Sequence, residues 1–191
     1  MRSVISLSLA SIAAADIAAV IRLPDADAAL SEVRGSANVD GDDQKALDIL
    51  ADEIIQNALS EVTAVASYLS EEQDTALQLH DGGTVIVASD PLDGSSNIDT
   101  NVSIGTIFSI LPAAGGILQA GRNQIAAGFF VYGPQTTLLV TFGKNVMAFQ
   151  LDDDGEFYNI QGRRCKYRIS SKDKTTIVSV SYTHLTLPTK A

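Results

Sequence analysis

The feature that most constrains the fold is a change of period at Asp81-Gly82-Gly83. Before this tripeptide, apolar residues recur at helical spacing, which predicts a long helix from about Asp43 to Ser60. After it, short apolar runs separated by turn residues predict strands. These strands are Val85–Ala88, Gly105–Pro112, Ala126–Tyr132, Thr137–Thr141 and Val146–Leu151. Helices followed by a strand meander predict an α/β chain, an α+β layered sandwich with helices covering one face of a sheet.

The N-terminal region adds two shorter helices to this prediction. The uncharged stretch from Ser3 to Ala15 resembles a short signal peptide, but its serines and the charges at Asp16 and Arg22 favour an amphipathic first helix. A second short helix is predicted at Asp25–Val33. No apolar run of the sequence is long enough to span a membrane. The core residues predicted in the long helix are Leu47, Ile49, Leu50, Ile54, Ile55 and Leu59.

A decapeptide after the first predicted strand carries most of the chemistry. It reads Asp90-Pro91-Leu92-Asp93-Gly94-Ser95-Ser96-Asn97-Ile98-Asp99, and we expect Pro91 to stiffen a turn between the two carboxylates. Carboxylates this close offer oxygen ligands to a hard divalent cation. The glycine and the hydroxyl residues offer backbone N–H donors to a phosphate. The same residues also form ordinary turns, so the decapeptide alone leaves a structural role open.

Acidic residues upstream favour the functional interpretation. Asp42 and Asp48 lie at the start of the long predicted helix, and Glu71-Glu72 follow Ser70. Asp42 also fits a helix N-cap, and a Glu-Glu pair is usually a solvated face. Asp48 is harder to explain structurally, because it lies close to the apolar side of the helix. An ionised carboxylate is costly there unless it is paired or binds a metal.

The order of these segments resembles the class I fructose-1,6-bisphosphatases, within a wider group of magnesium-dependent sugar and inositol phosphatases. The matching pattern is G-D-x-x-x-x-L-D at 41–48, S-E-E at 70–72, and the decapeptide followed by V-S-I-G-T-I-F at 102–108. The D-P-L-D-G core is shared by the wider group, whereas S-S-N-I-D and S-I-G-T-I-F are typical of the fructose-bisphosphatase branch. The resemblance covers about Leu7 to Phe157. It implies the sugar-phosphatase fold, with N-terminal helices on a largely antiparallel mixed sheet and the second α/β domain missing.

The resemblance implies a metal centre built from carboxylates of this chain. Glu71, Asp90 and Asp93 match the family's metal ligands, together with the backbone carbonyl of Leu92. The implied cofactor is Mg²⁺, with Mn²⁺ or Zn²⁺ as alternatives, at two or more ions per site. Carboxylates are the ligands that Mg²⁺ and Mn²⁺ prefer. Such ions bridge phosphate and water and lower the pKa of the nucleophilic water.

The resemblance also implies a substrate and a reaction. Asp48 and Glu72 match carboxylates that orient or deprotonate the attacking water, and Asp42 matches an acidic loop residue needed for turnover. Which of Asp48 and Glu72 acts as the base stays open. The implied reaction is hydrolysis of fructose 1,6-bisphosphate to fructose 6-phosphate and phosphate, as in gluconeogenesis and the Calvin cycle. The segment that matches the 1-phosphate site consists of Asp93, Gly94, Ser95 and Ser96.

Composition restricts the partners of the chain. A net charge of −10 over 191 residues argues against nucleic-acid binding. Acidity does not exclude a phosphate substrate, because bound cations would invert the local field. The single Cys165 forms no internal disulfide and fits a reducing, cytoplasmic location. For the full-length family the resemblance implies a homo-oligomer, a tetramer.

The chain departs from the family near its C-terminus. We expect one fructose-bisphosphatase-type domain over residues 1–160 and an unmatched tail over 161–191, non-native from about residue 180. The basic cluster Gly162–Arg168 does not match the family pattern quoted above. The sugar contacts and a late acidic ligand from the family's second half cannot be placed. Because positioning is a large share of catalysis, we expect this polypeptide to be a fragment with little or no activity.

Three other functions fit parts of the pattern. A sedoheptulose-bisphosphatase would use the same fold and residues. An inositol-monophosphatase-like enzyme would share D-P-L-D-G and the metal chemistry, although S-S-N-I-D argues against it. A non-catalytic metal-binding module would bind cations without hydrolysis. Comparing the turnover of inositol phosphate and fructose bisphosphate would separate the inositol-phosphatase alternative from a fructose-bisphosphatase, whereas these residues leave the sedoheptulose-bisphosphatase alternative open.

Overall fold

The computed structural model describes residues 13–22, 42–153, 155–160 and 168–170, and its helices precede its strands. Residues 13–21 form helix α1, and Asp42–Ser60 form helix α2. Helix α2 confirms the long predicted helix to within one residue. The helix predicted at Asp25–Val33 lies outside the described residues. Within the described part of the chain, neither helix combines the length and hydropathy needed to cross a bilayer.

The described strands form one sheet in the order β2-β1-β3-β4-β5-β6-β7-β8-β9. Strands β1 and β3 are parallel, and every other neighbouring pair described is antiparallel. The predicted largely antiparallel mixed sheet is therefore confirmed. The strands are β1 Val65–Ser70, β2 Leu77–Gln78, β3 Val85–Asp93, β4 Ile104–Pro112, β5 Ala126–Tyr132, β6 Thr136–Thr141, β7 Val146–Leu151, β8 Glu156–Asn159 and β9 Arg168–Ser170.

Strand β3 is longer than the sequence predicts. It was expected to end at Ala88 and give way to a turn, but it continues in extended conformation through Asp90–Asp93. Its pairing with β4 shifts register between Asp90 and Asp93. Pro91 lies within this irregular step, where its missing N–H removes no regular ladder bond. The segment expected to be a turn is thus an irregular strand end.

Four strands were not predicted, which are β1, β2, β8 and β9. The sequence of β1, VASYLS, is rich in small residues with weak strand preference. Its burial and its parallel pairing with β3 override that preference. The predicted turn at Asp152–Gly155 is confirmed, since β7 and β8 are antiparallel neighbours and Asp152 N–H donates to Glu156 O. Of the predicted tail 161–191, the structure describes residues 168–170 alone, as β9.

The helices cover one face of the sheet and form the core there. Leu47, Ile55 and Leu59 of α2 are buried, as predicted, and Leu50 and Ile54 pack against them. Ile49, also predicted to be core, is half-buried and lies outside the core cluster. The sheet side of this core centres on three aromatic rings, with Phe130 contacting Phe108 and Phe157 at centroid distances of 5.7 Å each.

The opposite face of the sheet is open. Successive strand residues face opposite sides, so Phe129 lies on this face while Phe130 lies in the core. Phe129 is 42% exposed and Ile107 is 47% exposed. These side chains line an open cavity of about 650 Å³, whose margin includes Glu71 and Asp90. Two residues of the predicted acidic site, Glu71 and Asp90, therefore lie at the edge of the open face.

Candidate active site

Two predicted metal ligands lie on the irregular end of β3. Asp90 is half-buried and Asp93 is exposed. Asp90 Oδ1 accepts a hydrogen bond from Leu92 N at 3.1 Å. The Leu92 side chain is 4% exposed and belongs to the core. The buried leucine therefore anchors the backbone between the two carboxylates.

A buried hydroxyl pair fixes the same segment from β4 and β5. Thr106 Oγ1 donates to Pro91 O at 2.7 Å and lies 2.7 Å from Tyr132 Oη. Burial raises the pKa of Tyr132, so its phenol keeps its proton. Because the Thr106 hydroxyl donates its proton to Pro91 O, the Tyr132 hydroxyl must be the donor in its bond with Thr106 Oγ1. This pair fixes the peptide group between Pro91 and Leu92. The carbonyl of Leu92 is a predicted metal ligand.

The predicted phosphate segment follows as a turn and a short helix. Gly94 adopts φ 83° and precedes a 3₁₀ helix at Ser95–Thr100. Asn97 N donates to Gly94 O at 2.8 Å, which closes the first turn. Ser95 Oγ donates to Asp48 Oδ2 at 3.1 Å. That bond joins the turn to α2, although 47 residues separate the partners in sequence.

Glu71 reaches the site because β1 runs parallel to β3. Ser70 is in register with Ser89, so the residues that follow each strand emerge at the same edge of the sheet. Glu71 N also donates to Ser89 O at 3.1 Å. The Glu71 carboxyl group lies close enough to Asp90 to raise the pKa of Asp90. Two carboxyl groups that were predicted as ligands are thus neighbours.

Burial and neighbouring negative charge raise the pKa values of two carboxyl groups here. The pKa of Asp90 rises to about 6, first through burial, then through the neighbouring Glu71 carboxyl group and the charge of Asp93. Burial also raises the pKa of Asp48, the Ser95 hydrogen bond opposes that rise, and the charge of Glu71 adds to it. The structure therefore brings Asp48, Glu71, Asp90 and Asp93 into one electrostatically coupled group.

The remaining predicted residues lie around this group. Glu72 is exposed beside Glu71, and its N–H donates to Ser70 Oγ at 3.2 Å. Ser96 is exposed on the 3₁₀ helix. Asp42 is the first residue of α2, but its side chain lies outside the described part of the structure. Its predicted N-cap and turnover roles stay predictions.

A buried polar network that the sequence did not predict lies beneath the site. Asp52 is 5% exposed, and its carboxylate accepts hydrogen bonds from Tyr68 Oη at 2.8 Å and Gln73 Nε2 at 2.6 Å. Ser89 Oγ lies 2.8 Å from Tyr68 Oη. A signal was present, because Asp52 follows Asp48 by one helical turn and the cost of burial noted for Asp48 applies to it equally.

The residues at the site fit a hard divalent cation in part. Among the residues that the structure describes, no three Asp, Glu, His or Cys side chains converge to hold an ion by themselves. Mg²⁺ needs fewer, because it binds through one or two carboxylates and keeps waters or substrate phosphates as its other ligands. The negative charges of Glu71 and Asp90 repel each other, which contributes to the raised pKa of Asp90, and a bound cation would relieve this repulsion. These oxygen donors therefore fit Mg²⁺ or Mn²⁺ with additional water or phosphate ligands better than they fit an ion that is held by protein ligands alone.

Comparison with known proteins identifies the family of the chain. Residues 4–162 match the family described as fructose-1-6-bisphosphatase, N-terminal domain. The chain belongs to the fructose-1,6-bisphosphatase family. The predicted family resemblance is confirmed, and it extends slightly further in each direction than the residues from Leu7 to Phe157 on which it was based.

Curated relatives are similar to this chain over about four-fifths of its length. A class 1 fructose-1,6-bisphosphatase of Cereibacter sphaeroides is 47% identical over 158 residues, which are 81% of this chain and 47% of the relative. That of Neisseria meningitidis is 46% identical over 151 residues, 76% of this chain and 46% of the relative. The chain spans about half the length of the curated relatives it matches.

A solved structure shows the same fold. The crystal structure of Leishmania major fructose-1,6-bisphosphatase in holo form superposes with a TM-score of 0.69 at 29% identity, covering 81% of this chain and 48% of that one. The predicted helices on a mixed sheet are therefore the fold of the fructose-1,6-bisphosphatase family.

Proposed function

We propose that this chain carries the phosphatase centre of a fructose-1,6-bisphosphatase, which hydrolyses the 1-phosphate to give fructose 6-phosphate and phosphate. One observation carries the proposal beyond family membership. It is the grouping of Asp48, Glu71 and Asp90 beside the turn at Gly94–Ser96. Carboxylates that bind cations thus adjoin a backbone suited to bind phosphate, as metal-assisted hydrolysis of a phosphate ester requires.

The carboxylates would hold the cations. Glu71, Asp90 and Asp93 would be ligands together with the carbonyl of Leu92, and Mg²⁺ is the ion proposed, with Mn²⁺ or Zn²⁺ as alternatives and two or more ions per site. Bound cations neutralise charge on the phosphate and lower the pKa of the attacking water. The contribution of the chain is to keep these oxygens together, through the Thr106 bond to Pro91 and the bond from Leu92 N to Asp90.

The turn after β3 would bind the 1-phosphate. Its four residues are Asp93, Gly94, Ser95 and Ser96. The first N–H groups of a helical turn lack intrahelical partners and suit a bound anion. Gly94 permits the turn, since its φ of 83° is unfavourable for residues with a Cβ. The backbone therefore presents donors within reach of the cation ligands.

Asp48 would accept the proton of the attacking water. Burial raises its pKa, and a carboxyl whose pKa is closer to neutral is a better base at physiological pH. The bond from Ser95 Oγ holds this carboxylate at the phosphate turn. Glu72 is the second candidate for the same role, and Asp42 is proposed to act during turnover. We further propose that the whole protein is a cytoplasmic homo-tetramer that does not bind nucleic acid.

Phosphate release by a chimeric chain tests this proposal. Residues 1–162 of this chain would be joined to the part of the Cereibacter sphaeroides relative that lies beyond the matched region. With Mg²⁺ we expect release of phosphate from fructose 1,6-bisphosphate, and we expect Asp90→Asn to reduce it by about 100-fold or more, because cation ligation contributes several kcal/mol. The matched control is Asp153→Asn, the same chemical change at an exposed position in the β7–β8 turn.

Each other outcome contradicts a part of the proposal. Hydrolysis of inositol 1-phosphate without fructose 1,6-bisphosphate would indicate the inositol-phosphatase alternative. Binding of Mn²⁺ with no hydrolysis of either ester would favour a non-catalytic metal-binding module. The 191-residue chain, assayed beside the chimera, is expected to show little or no turnover. A rate typical of enzymes would show that this expectation is wrong.

A further inference from the structure

A buried carboxylate outside the predicted site connects the segments that carry it. We propose that Asp52 is a positioning residue, which holds the cation ligands Glu71 and Asp90 in place through Tyr68, Ser89 and Gln73. The inference rests on the proposed function, because it takes Glu71 and Asp90 as ligands. It assigns to Asp52 a role that neither the motifs nor the decapeptide indicated.

The contacts of Asp52 reach three different elements. Its Oδ1 accepts a hydrogen bond from Tyr68 Oη of β1 at 2.8 Å. Its Oδ2 accepts hydrogen bonds from Gln73 Nε2 in the loop after β1 at 2.6 Å and from Gln56 Nε2 of α2 at 3.3 Å. Burial raises the pKa of Tyr68, so the phenol remains a donor. Because the one hydroxyl proton of Tyr68 is donated to Asp52, the bond between Tyr68 Oη and Ser89 Oγ must be donated by the Ser89 hydroxyl, 2.8 Å away.

Two of these contacts, those with Tyr68 and Gln73, lead to a segment that carries a proposed ligand. Ser89 directly precedes Asp90 on β3, and its carbonyl accepts a hydrogen bond from Glu71 N at 3.1 Å. Gln73 follows Glu71 by two residues, so its bond to Asp52 fixes the far side of the loop that carries Glu71. The helix that bears Asp52 also bears Asp48, one turn earlier. One carboxylate thus fixes the backbone on either side of the Glu71–Asp90 pair.

The cost of burial argues for a specific role. A carboxylate that is 5% exposed forfeits most of its hydration, which is unfavourable unless hydrogen bonds replace it. Bonds to a charged acceptor are stronger than neutral ones and fix geometry. An apolar residue at this position would join helix to sheet at lower cost. What an apolar residue could not do is orient a glutamine and a phenol toward the two ligand segments, and partners of metal ligands control metal affinity in this way.

The test is the affinity of the 191-residue chain for Mn²⁺, followed by electron paramagnetic resonance of the free ion. The variants are Gln73→Ala, Tyr68→Phe and Asp52→Asn, and each removes or alters one connection. The matched control is Thr136→Val on β6, which removes a partly buried hydrogen bond that Arg22 Nη2 donates to Thr136 Oγ1 at 3.0 Å. Urea unfolding of every variant measures stability separately. Gln73 is half-buried in a loop, so Gln73→Ala keeps the test valid even where Asp52→Asn prevents folding.

We expect Gln73→Ala and Tyr68→Phe to weaken Mn²⁺ binding by about 10-fold, as losses of ligand partners typically do. Thr136→Val should bind like the unmodified chain even where it loses comparable stability. If the three variants lose stability but bind Mn²⁺ with unchanged affinity, Asp52 is a structural residue and the inference is wrong. If the unmodified chain itself binds no Mn²⁺, the proposed ligands are wrong, and the proposed function fails together with the inference.

Discussion

The two faces of the central sheet differ in a way that separates stability from chemistry. On the helix-covered face, paired residues of neighbouring strands form a row that is nearly inaccessible to solvent. On the open face, the next row combines one candidate ligand with apolar residues that are exposed or half-buried. The covered row is Thr106, Phe130, Leu138 and Phe149, and the open row is Asp90, Ile107, Phe129 and Leu139. A shift of one residue along a strand thus changes its contribution from core packing to the site.

Two adjacent phenylalanines offer the strongest test of this contrast. Phe130 is 1% exposed and contacts Phe108 and Phe157, so we expect Phe130→Ala to lower the free energy of unfolding by about 3–5 kcal/mol. Phe129 is 42% exposed, and Phe129→Ala should change it by less than about 0.5 kcal/mol. Urea unfolding measures both. Equal losses would mean that the open face is also packed.

A second test concerns the hydroxyl pair that joins the covered face to the site. Thr106→Val keeps the shape of the side chain but removes its bonds to Pro91 O and Tyr132 Oη. A buried phenol and carbonyl then lose partners, so we expect a loss of about 1–3 kcal/mol in the free energy of unfolding. Ser109→Val is the matched change on the open face of the same strand. A loss of equal size at Ser109 would contradict the contrast between the faces.

The turn at the margin of the site should respond to a smaller change. Gly94 has φ 83°, and we expect Gly94→Ala to lower the free energy of unfolding by about 1 kcal/mol, because a Cβ disfavours this conformation. Gly121→Ala is the control, since Gly121 has no positive φ and nothing lies within 4 Å of an added Cβ. Thermal unfolding of both variants checks the difference. If Gly94→Ala is as stable as the control, the turn is more adaptable than its backbone angle indicates.

The smallest effect is expected from pH, in the presence of EDTA. The pKa of Asp90 is about 6 in the folded chain, through burial and the carboxyl groups of Glu71 and Asp93, against an ordinary value near 3.9 in the unfolded chain. The unfolded state therefore releases this proton first, and folding stability falls as pH rises from about 4 to 6. Asp90→Asn should remove this dependence and be more stable above pH 6, by less than about 1 kcal/mol because solvent screens a partly exposed group. The measurement is unfolding of both chains at pH 4, 6 and 8. If the difference in free energy of unfolding between Asp90→Asn and the unmodified chain is the same at all three pH values, this expectation is wrong.

The sequence predicted those secondary-structure elements that a local residue pattern defines. Strands β5 and β7 lie at their predicted residues, because alternation and turn residues define both ends. The grouping of Asp48, Glu71, Asp90 and Asp93 followed from the family pattern, and the structure brings these residues together. The predicted end of β3 was wrong, because a proline such as Pro91 indicates a turn as readily as an irregular strand.

What the sequence could not supply was the set of long-range polar contacts. The partners Tyr68 and Gln73 lie 16 and 21 residues from Asp52, and no local period links such positions. Their meeting depends on how α2 packs on β1. The site residues could therefore be predicted individually, but the network beneath them could not.

The parallel pairing of β1 with β3 has a kinetic consequence. An antiparallel pair would leave Glu71 and Asp90 at opposite ends of the strands, whereas the parallel pair places them side by side. The β1–β3 partners, such as Ser70 and Ser89, are further apart in sequence than any partners in the β5–β6 and β6–β7 hairpins, and less local contacts form more slowly during folding. The ability to bind Mn²⁺ should therefore appear in refolding after the β5–β7 hairpins have formed, and a bound ion would report when the β1–β3 pair closes.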